Sequence, residues 1–403
     1  MSTDAEASFP LASCNPSRDL LYWENHGRKA VGKMKTVVVT DVKYRASIAA
    51  IRTLGRAGYR VIVTQTRADC PWTPPAFVSR YVAGRHWIPG SSSDARYADY
   101  LLNLLEEYDA PILFSVGAAT LNVVSWQRER FRPLCRFLIA SPAVLDALND
   151  KEAVHRRCQE LRIPTPLEYD GLPERYPVVV KPHCGEKFGL HAAERYRIAR
   201  NADEWKKAVS EMSAYDAAPL VQEYVPGDGM GASLLIGQDG ALLGALCHRR
   251  IREYPITGGP SSCCESVYDK TLVQQAYALL RSFGFQGLAM VEFKGGRVLE
   301  VNPRIWGSFP LTEKAGSPLA LRYVQAALGA SAPYVPDDYR VGVRMRFLLN
   351  DTAAMLDLLR KRRYREFFDA VPDVFLAREA LTSWRDPAPM LRYLRNTLFT
   401  RRH

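Results

Sequence analysis

The sequence lacks the features that mark membrane-spanning, zinc-binding and dinucleotide-binding proteins. No apolar run approaches the length needed to cross a bilayer. The eight cysteines show neither a CxxC pair nor a Cys/His ligand spacing, which excludes the common zinc-site patterns. The segment between Thr40 and Ile48 has no GxGxxG, the glycine pattern of dinucleotide sites. We see no secretory signal pattern, and we therefore expect reduced thiols and a cytoplasmic protein.

Acidic residues are outnumbered, and most of the imbalance lies near the carboxyl end. The 403 residues carry a formal charge of +11, and residues 340–403 hold 14 Lys and Arg against 7 Asp and Glu. No nucleic-acid-binding motif accompanies these cations, so we expect no nucleic-acid partner. Solvated basic helices are the favoured interpretation. Contact of a helical tail with an anionic membrane surface is the alternative.

The overall composition, 47% hydrophobic and 24% charged, is that of a globular protein with two or three domains. Residues 1–33 are polar and irregular, and we expect a flexible extension there. Apolar strands then alternate with helices. The strands are predicted at 35–40, 59–64, 111–115 and 136–140, and the helices at 45–57, 94–107 and 118–130. This alternation predicts a small parallel α/β domain over residues 34–140.

After residue 140 the character of the sequence changes, and we expect a second domain over residues 141–332. A helix opens at Asp150-Lys151, and a strand over 176–182 contains Lys181. Further strands are predicted at 219–227, 231–236 and 241–248, and helices at 202–212, 270–282 and 315–328. Residues 333–403 are predicted to form a basic, mainly helical extension.

One predicted hairpin, residues 287–304, sets polar side chains among apolar ones. Side chains alternate faces along a strand, so Glu300 and Asn302 share one face. If Glu292 joins them, two carboxylates and an amide oxygen form a site suited to Mg²⁺ held against phosphates. Arg304 follows two residues later, where a fixed cation can meet developing negative charge.

The connection between the two strands decides whether Glu292 reaches that face. It does so only if the turn contains an odd number of residues. We predict a three-residue loop at 294–296, which pairs Phe293 with Arg297 and places a glycine in the left-handed position.

Beyond the hairpin, a set of residues stands in a characteristic order. Lys151 opens a helix, Lys181 ends a strand, and a glycine-containing loop follows. A strand end at 222–225 precedes the hairpin, and Arg304 comes last. This ordered set resembles the ATP-grasp superfamily, most closely the carboxylate–amine ligases, over roughly residues 35–330. The resemblance implies that residues 141–332 form an α+β, two-subdomain ATP-grasp fold, with a lid subdomain over about 151–225, preceded by the α/β domain.

The resemblance implies where ATP binds. Lys151 and Lys181 would hold the phosphates, since a lysine is a mobile point charge. The loop at 183–189, with Gly185 and Lys187, would close over them. The next strand end would meet the base and the ribose. The implied residues are Gln222, Glu223, Tyr224 and Val225 for the adenine and Asp228 for the ribose hydroxyls.

The resemblance also implies the chemistry. Glu292, Glu300 and Asn302 would hold two Mg²⁺ (or Mn²⁺) ions, and Arg304 would stabilise an oxyanion. Apart from the resemblance, Arg250 is expected to border the acceptor pocket and to bind a phosphate or a substrate carboxylate, because arginine pairs with such groups in bidentate fashion. A basic edge strand is the alternative interpretation. ATP would convert a small carboxylate into an acyl phosphate, which an amine attacks, with release of ADP and phosphate. The implied partners are small-molecule carboxylate and amine substrates, and a homodimer is possible.

Two other functions remain open from the sequence. The first is an ATP-grasp enzyme that uses another nucleophile, as in carboxylases and carbamoyl-forming enzymes. The second is a non-catalytic ATP-binding scaffold. Two local expectations complete the prediction. Strand alternation places Arg250 and Arg252 on one face with His248, and Cys263-Cys264 is interpreted as a buried structural pair.

Overall fold

Valine-rich segments build the first sheet. The computed structural model describes residues 35–183, 194–256, 258–330, 333–336 and 338–400. Its first strands are β1 (Thr36–Val39), β2 (Arg60–Thr66), β3 (Val82–Ile88) and β4 (Ile112–Phe114), all parallel in the order β3-β2-β1-β4. Val37, Val38 and Val39 are fully buried, as expected for a strand covered on both faces. The predicted parallel α/β sheet is confirmed.

Two details of this sheet differ from the prediction. Residues 136–140 do not form a strand: Arg136 makes only an isolated bridge to Ile112. The fourth strand is instead β3, which was missed because it contains Gly84, Arg85 and His86 and is only partly buried. As an edge strand it keeps one side toward solvent, so it lacks the apolar run of its neighbours.

A small antiparallel sheet follows. It contains β5 (Val178–Lys181), β6 (Arg197–Ala199) and β7 (Leu220–Glu223) in the order β6-β5-β7. Val178 and Val180 alternate with Val179 and Lys181, so the apolar pair is fully buried while Val179 and Lys181 are more exposed. The period-2 alternation therefore points Lys181 away from this sheet's core.

The largest sheet is mixed and has the order β12-β11-β8-β9-β10-β13-β14. Its strands are β8 (Gly229–Ile236), β9 (Leu242–Glu253), β10 (Ser261–Val267), β11 (Gly287–Lys294), β12 (Arg297–Asn302), β13 (Arg344–Arg346) and β14 (Arg378–Glu379). Only the last pair is parallel. Strand β10 was missed because Ser261-Ser-Cys-Cys-Glu-Ser-Val267 has no apolar alternation, although Cys263 and Cys264 are fully buried. Both cysteines are free thiols, as the structural interpretation expected.

Thirteen helices of four or more residues cover these sheets in the described part of the chain. They are α1 (Ala46–Arg56), α2 (Tyr97–Glu107), α3 (Ala118–Trp126), α4 (Arg128–Phe131), α5 (Pro142–Asn149), α6 (Lys151–Glu160), α7 (Ala202–Met212), α8 (Lys270–Ser282), α9 (Pro310–Ala315), α10 (Leu319–Ala327), α11 (Leu348–Arg360), α12 (Tyr364–Leu376) and α13 (Ala388–Thr400). A single 3₁₀ turn spans Pro75–Val78. None of the helices in the described ranges is both long and apolar enough to span a bilayer.

The first sheet and the largest sheet share their apolar core. One buried cluster joins Val38 and Leu113 to Leu234 and Val291. A second joins Phe114 to Trp306 and Phe309. The carboxyl-terminal region is mainly helical, as predicted, but it also adds β13 and β14 to the largest sheet. The first α/β region, the largest sheet and the carboxyl-terminal region therefore all contribute residues to one cavity.

Candidate active site

A cavity of about 530 Å³ lies between the small antiparallel sheet (β6-β5-β7) and the largest sheet, and residues of both line it. It gathers most of the predicted site residues. Those expected to bind the nucleotide are Lys151, Lys181, Gln222, Glu223, Tyr224 and Val225. Those expected to bind metal or act on substrate are Arg250, Glu292, Glu300, Asn302 and Arg304. Residues up to about 150 positions apart thus meet in one place.

The remaining three predicted residues have different outcomes. Gly185 and Lys187, in the predicted closing loop, lie outside the described residues. Asp228 is exposed, and its carboxylate pairs with Arg249 at 3.3 Å instead of lining the cavity. The predicted contact of Asp228 with ribose therefore has no support from its position.

The hairpin of β11 and β12 brings Glu292 and Glu300 together, but not through the predicted loop. The turn has two residues, Gly295 and Gly296, with φ of 52° and 74°. Such left-handed angles suit glycine and a type I′ turn. Lys294 pairs with Arg297, so the predicted three-residue loop at 294–296, with Phe293 opposite Arg297, is wrong.

A β-bulge restores the alignment that the shorter turn would have lost. Phe293 pairs with Val298, and Glu292 pairs directly with Glu300, which leaves Leu299 as the extra residue. One inserted residue shifts the alternation by one position and turns the following side chains to the other face. Glu292, Glu300 and Asn302 therefore line the same cavity, as the metal-site prediction required.

These acidic side chains are held by nearby cations. Glu300 lies 3.5 Å from the Lys151 ammonium, and Glu292 lies 2.5 Å from the Arg250 guanidinium. Burial alone would raise the pKa of both carboxyls. Lys151 and Lys181 outweigh it and lower the pKa of Glu300, whereas burial prevails at Glu292 and raises its pKa, despite the Arg250 charge. Glu300 is thus the more firmly ionised of the two.

The donor set fits a hard divalent cation. The Asn302 amide nitrogen donates to Glu292 Oε1 at 3.1 Å, so the amide oxygen of Asn302 remains available as a ligand. Among the described residues, no group of three His, Cys, Asp or Glu side chains is placed to hold a metal. A cation here would need Asn302 beside the two carboxylates, and phosphate oxygens to complete its shell.

Lys151 and Lys181 come from different elements but act on the same acids. The Asp150 side chain accepts from the Glu152 and Ala153 N–H groups and so caps α6, which fixes Lys151 as its first residue. Lys181 ends β5. Burial lowers the pKa of Lys181 to about 8, and Lys151 adds to this, while Glu300, Glu168 and Glu292 act in the opposite direction.

This pKa predicts a pH dependence for nucleotide binding. Lys181 loses its proton in the free protein as the pH rises through about 8. We expect the Kd of a non-hydrolysable ATP analogue to rise about tenfold between pH 7 and pH 9, because a bound phosphate requires the charged form. Calorimetric titration across that range measures it. The matched variant is Lys181→Arg, whose guanidinium stays charged and should flatten the profile. A wild-type profile as flat as that of the variant would contradict the assignment of Lys181.

The side chains of Gln222 and Glu223, at the end of β7, contact other protein side chains, which the sequence did not reveal. The Gln222 amide nitrogen lies 2.8 Å from His155 Nδ1 and 3.1 Å from Glu168 Oε1, and His155 also contacts Glu168. The hydrogen bond with His155 lowers the pKa of Glu168. His155 lies one helical turn after Lys151, and that i,i+4 spacing was the available signal.

Backbone contacts narrow how this strand end can meet an adenine. The Glu223 carboxylate pairs with Arg297. The Tyr224 N–H donates to the Pro177 carbonyl at 3.0 Å. Of the two main-chain groups of Tyr224, its carbonyl is therefore the one that remains for an adenine. Tyr224 and Val225 both line the cavity, as predicted.

The arginines of β9 diverge. Arg250 pairs with Cys264 and Arg252 with Cys263, so Ile251 is a bulged residue. Arg250 lies in the cavity wall, whereas Arg252 binds Asp351 and Asp373 of the carboxyl-terminal helices. The expectation that they share a face is wrong, because the bulge reverses the alternation between them.

His248 and Ser308 lie in another part of the same cavity wall. His248 is buried, and burial lowers its pKa to about 3, so the imidazole is neutral near pH 7. Its Nε2 lies 3.2 Å from the Ser308 hydroxyl. Ser308 and the buried Trp306 follow Arg304 in sequence, which was the signal for a pocket here.

Comparison with known proteins agrees with this geometry. Residues 148–308 match the family model described as the ATP-grasp domain. No curated protein matches the chain. The matched segment contains the whole predicted site, from Lys151 to Arg304, and it confirms the resemblance to the ATP-grasp superfamily.

Solved structures with a similar fold include biotin carboxylases. A Campylobacter jejuni biotin carboxylase in complex with β,γ-ATP has a TM-score of 0.56 at 16% identity, over 77% of this chain and 74% of that chain. The biotin carboxylase domain dimer of Hydrogenobacter thermophilus 2-oxoglutarate carboxylase, with MgADP, ADP and bicarbonate, has a TM-score of 0.58 at 16% identity, over 78% and 74%. Rhizobium etli pyruvate carboxylase gives 0.55 at 14% identity, over 78% of this chain and 30% of that chain. At these identities the likeness establishes the fold.

Proposed function

We infer from the ATP-grasp domain at residues 148–308 of this chain that the protein is an ATP-dependent ligase that joins a carboxylate to an amine. The observation that carries the proposal is one cavity that gathers two lysines, two carboxylates, Asn302 and Arg304. Phosphoryl transfer needs little besides positioning and charge stabilisation, and these residue types provide both.

Each group has a part in the proposed reaction. The substrate carboxylate attacks the γ-phosphorus of ATP, which forms an acyl phosphate and releases ADP. The amine then attacks the acyl carbon, and phosphate leaves. Lys151 and Lys181 bind the phosphates, and Arg304 stabilises the oxyanion at the acyl carbon. Glu292, Glu300 and Asn302 would hold Mg²⁺ or Mn²⁺, as two ions, and bound metal would neutralise phosphate charge.

Arg250 has a more specific part than was expected from the sequence. Its guanidinium lies 2.5 Å from Glu292 and 3.4 Å from Glu253, so it partly neutralises the Glu292 carboxylate. We propose that Arg250 contacts a phosphate or the substrate carboxylate, and that a cation bound at Glu292 would take over the neutralisation of that carboxylate. In this role the same arginine neutralises Glu292 in the free protein and binds an anion in the complex.

The test is a screen for ADP and phosphate release. Purified full-length protein with ATP and Mg²⁺ is offered pairs of amino acids and small carboxylic acids, and the condensed product is detected by mass. We expect release that requires both a carboxylate and an amine, with product formed in equal amount. ATP binding without release for any pair would favour a non-catalytic nucleotide-binding protein.

A carboxylase is the second candidate, because the fold is similar to that of the biotin carboxylases. Its expected result differs. Bicarbonate and free biotin would stimulate ADP release, and no amine would be needed. Running this pair within the same screen separates the two reactions. Sedimentation of the same sample tests the possible homodimer.

A further inference from the structure

Arg45 places a cation in the cavity wall that the predicted site did not include. It directly precedes α1, and it lines the cavity together with Phe347, Trp306 and Ser308. None of these four residues lies on the nucleotide-binding strand end at 222–225. Arg45 therefore belongs to a different wall from the one assigned to ATP.

The carboxyl-terminal region holds Arg45 by its flat face. The guanidinium carbon lies 4.0 Å from the Phe347 ring centroid and 5.9 Å from that of Tyr393. Phe347 is in turn fixed by its N–H, which donates to the Ser262 carbonyl at 2.8 Å. Stacking uses the face of a guanidinium and leaves its edge N–H groups to bind a planar anion.

Nothing acidic among the described residues neutralises this cation directly. Arg45 forms no ion pair in that part of the chain. The acid that influences it is Glu379, whose Oε2 accepts from Leu381 N at 2.6 Å and Thr382 N at 2.7 Å. Burial lowers the pKa of Arg45, and Tyr393 supplies a hydrogen bond that opposes the shift. A half-buried arginine in a cavity, stacked on aromatic rings and without an ion-pair partner among the described residues, is placed to receive an anion.

We propose that Arg45 binds a carboxylate of the amine substrate, so that the acceptor is an amino acid or another amine carrying its own acidic group. The proposal rests on the ligase function inferred above. The donor carboxylate has to meet the γ-phosphate beside Glu292 and Glu300, and that role leaves Arg45 to the second substrate. The carboxyl-terminal extension then contributes to specificity, because Phe347 and Tyr393 orient the arginine.

The experiment compares amino acids with their α-carboxamides as acceptors, using the donor found by the release screen. For wild type we expect kcat/KM to favour the amino acid by about a hundredfold, the value of one charge-assisted, bidentate contact. Arg45→Ala should remove that preference by raising the acceptor KM, with little change for the amide or for ATP. Arg45→Gln, which keeps a polar but uncharged side chain, should behave in the same way and covers a failure of the alanine variant to fold.

Arg67→Ala is the matched control. Arg67 also stacks on an aromatic ring, at 3.7 Å from the Trp87 centroid, but it is exposed and lies outside the cavity wall. It should leave the acceptor preference unchanged. Equal losses for amino acid and amide in the Arg45 variants, or a KM change confined to the donor, would overturn the proposal.

A binding measurement separates this proposal from the ligase function itself. Calorimetric titration of the amino-acid panel into wild type and Arg45→Gln needs no turnover. Binding that Arg45→Gln abolishes supports the anion site even if no ADP is released, in which case only the ligase function fails. If no amino acid binds to wild type at millimolar concentration, and kcat/KM shows no preference for amino acids over amides, the proposed anion site at Arg45 is wrong and the ligase function is unaffected.

Discussion

Glu300→Gln is expected to lower kcat for ADP release by about a thousandfold. The substitution removes the ionised carboxylate that lies 3.5 Å from Lys151 and lines the cavity beside Glu292. A metal held against phosphates supplies several kcal/mol of charge stabilisation, and each 1.36 kcal/mol changes the rate about tenfold. Steady-state ADP release at saturating ATP, followed over a Mg²⁺ titration, measures the loss.

The matched control for this variant is Glu265→Gln. Glu265 is also a strand carboxylate paired with arginines, at 2.8 Å from Arg249 and 3.5 Å from Arg344, but it lies outside the cavity wall. It should retain kcat within about a factor of three, since its contacts are structural. If Glu300→Gln keeps full turnover at ordinary Mg²⁺ concentrations, the metal-site assignment is wrong.

The site could be predicted from the sequence as far as local alternation determines which face a residue occupies. Glu300 and Asn302 needed only period 2, and Lys151 needed only a capped helix start. The turn prediction at 294–296 failed because the bulge at Leu299 depends on pairing across the hairpin. Glu292 and Glu300 still share a face, because the two-residue turn shifts the alternation by one residue and the bulge shifts it back. Arg252 shows the opposite outcome, since a single bulge at Ile251 moved it out of the cavity.

Contacts between distant segments account for what the sequence did not reveal. Glu168 reaches Gln222 through a bridge between segments more than fifty residues apart, and no local pattern reports such a pairing. Arg45 is a similar case, because Phe347 stacks on it from the far end of the chain. Strands β3 and β10 were missed because their polar residues are accommodated by partners that periodicity does not identify.

The basic carboxyl-terminal region illustrates how charge counts can mislead. Its arginines were interpreted as a solvated surface. Two of them, Arg344 and Arg346, instead pair with two buried acids, Asp373 and Asp351, which are 1% and 0% exposed. Arg252 binds both acids, and Arg344 binds Asp373 at 2.6 Å. Part of the excess positive charge is therefore used inside the protein, where it joins α11 and α12 to the largest sheet.

This arrangement makes Asp351→Ala the variant with the largest expected effect on stability. Asp351 accepts from Arg252 Nε at 2.9 Å, from Arg252 Nη2 at 3.0 Å and from the Ser262 hydroxyl at 3.2 Å. Removing one partner of a buried ion pair costs about 3–5 kcal/mol. Because Arg252 still pairs with Asp373, we expect a loss near the lower end of that range. Denaturant unfolding followed by circular dichroism should show this decrease in the free energy of unfolding.

The same helix provides the control. Asp357 also lies in α11 and pairs with Lys361 at 3.0 Å, but this pair is largely exposed to solvent. Asp357→Ala should change the free energy of unfolding by no more than about 0.5 kcal/mol, as is usual for exposed i,i+4 pairs. Replacing Arg252 by Met in the Asp351→Ala background should recover part of the loss, because it removes a buried cation that has lost one of its two acids, while Asp373 keeps its pair with Arg344. Equal effects of the two aspartate variants would mean that the buried pair does not anchor the extension, and Phe347 would then lack the rigid support that its role beside Arg45 requires.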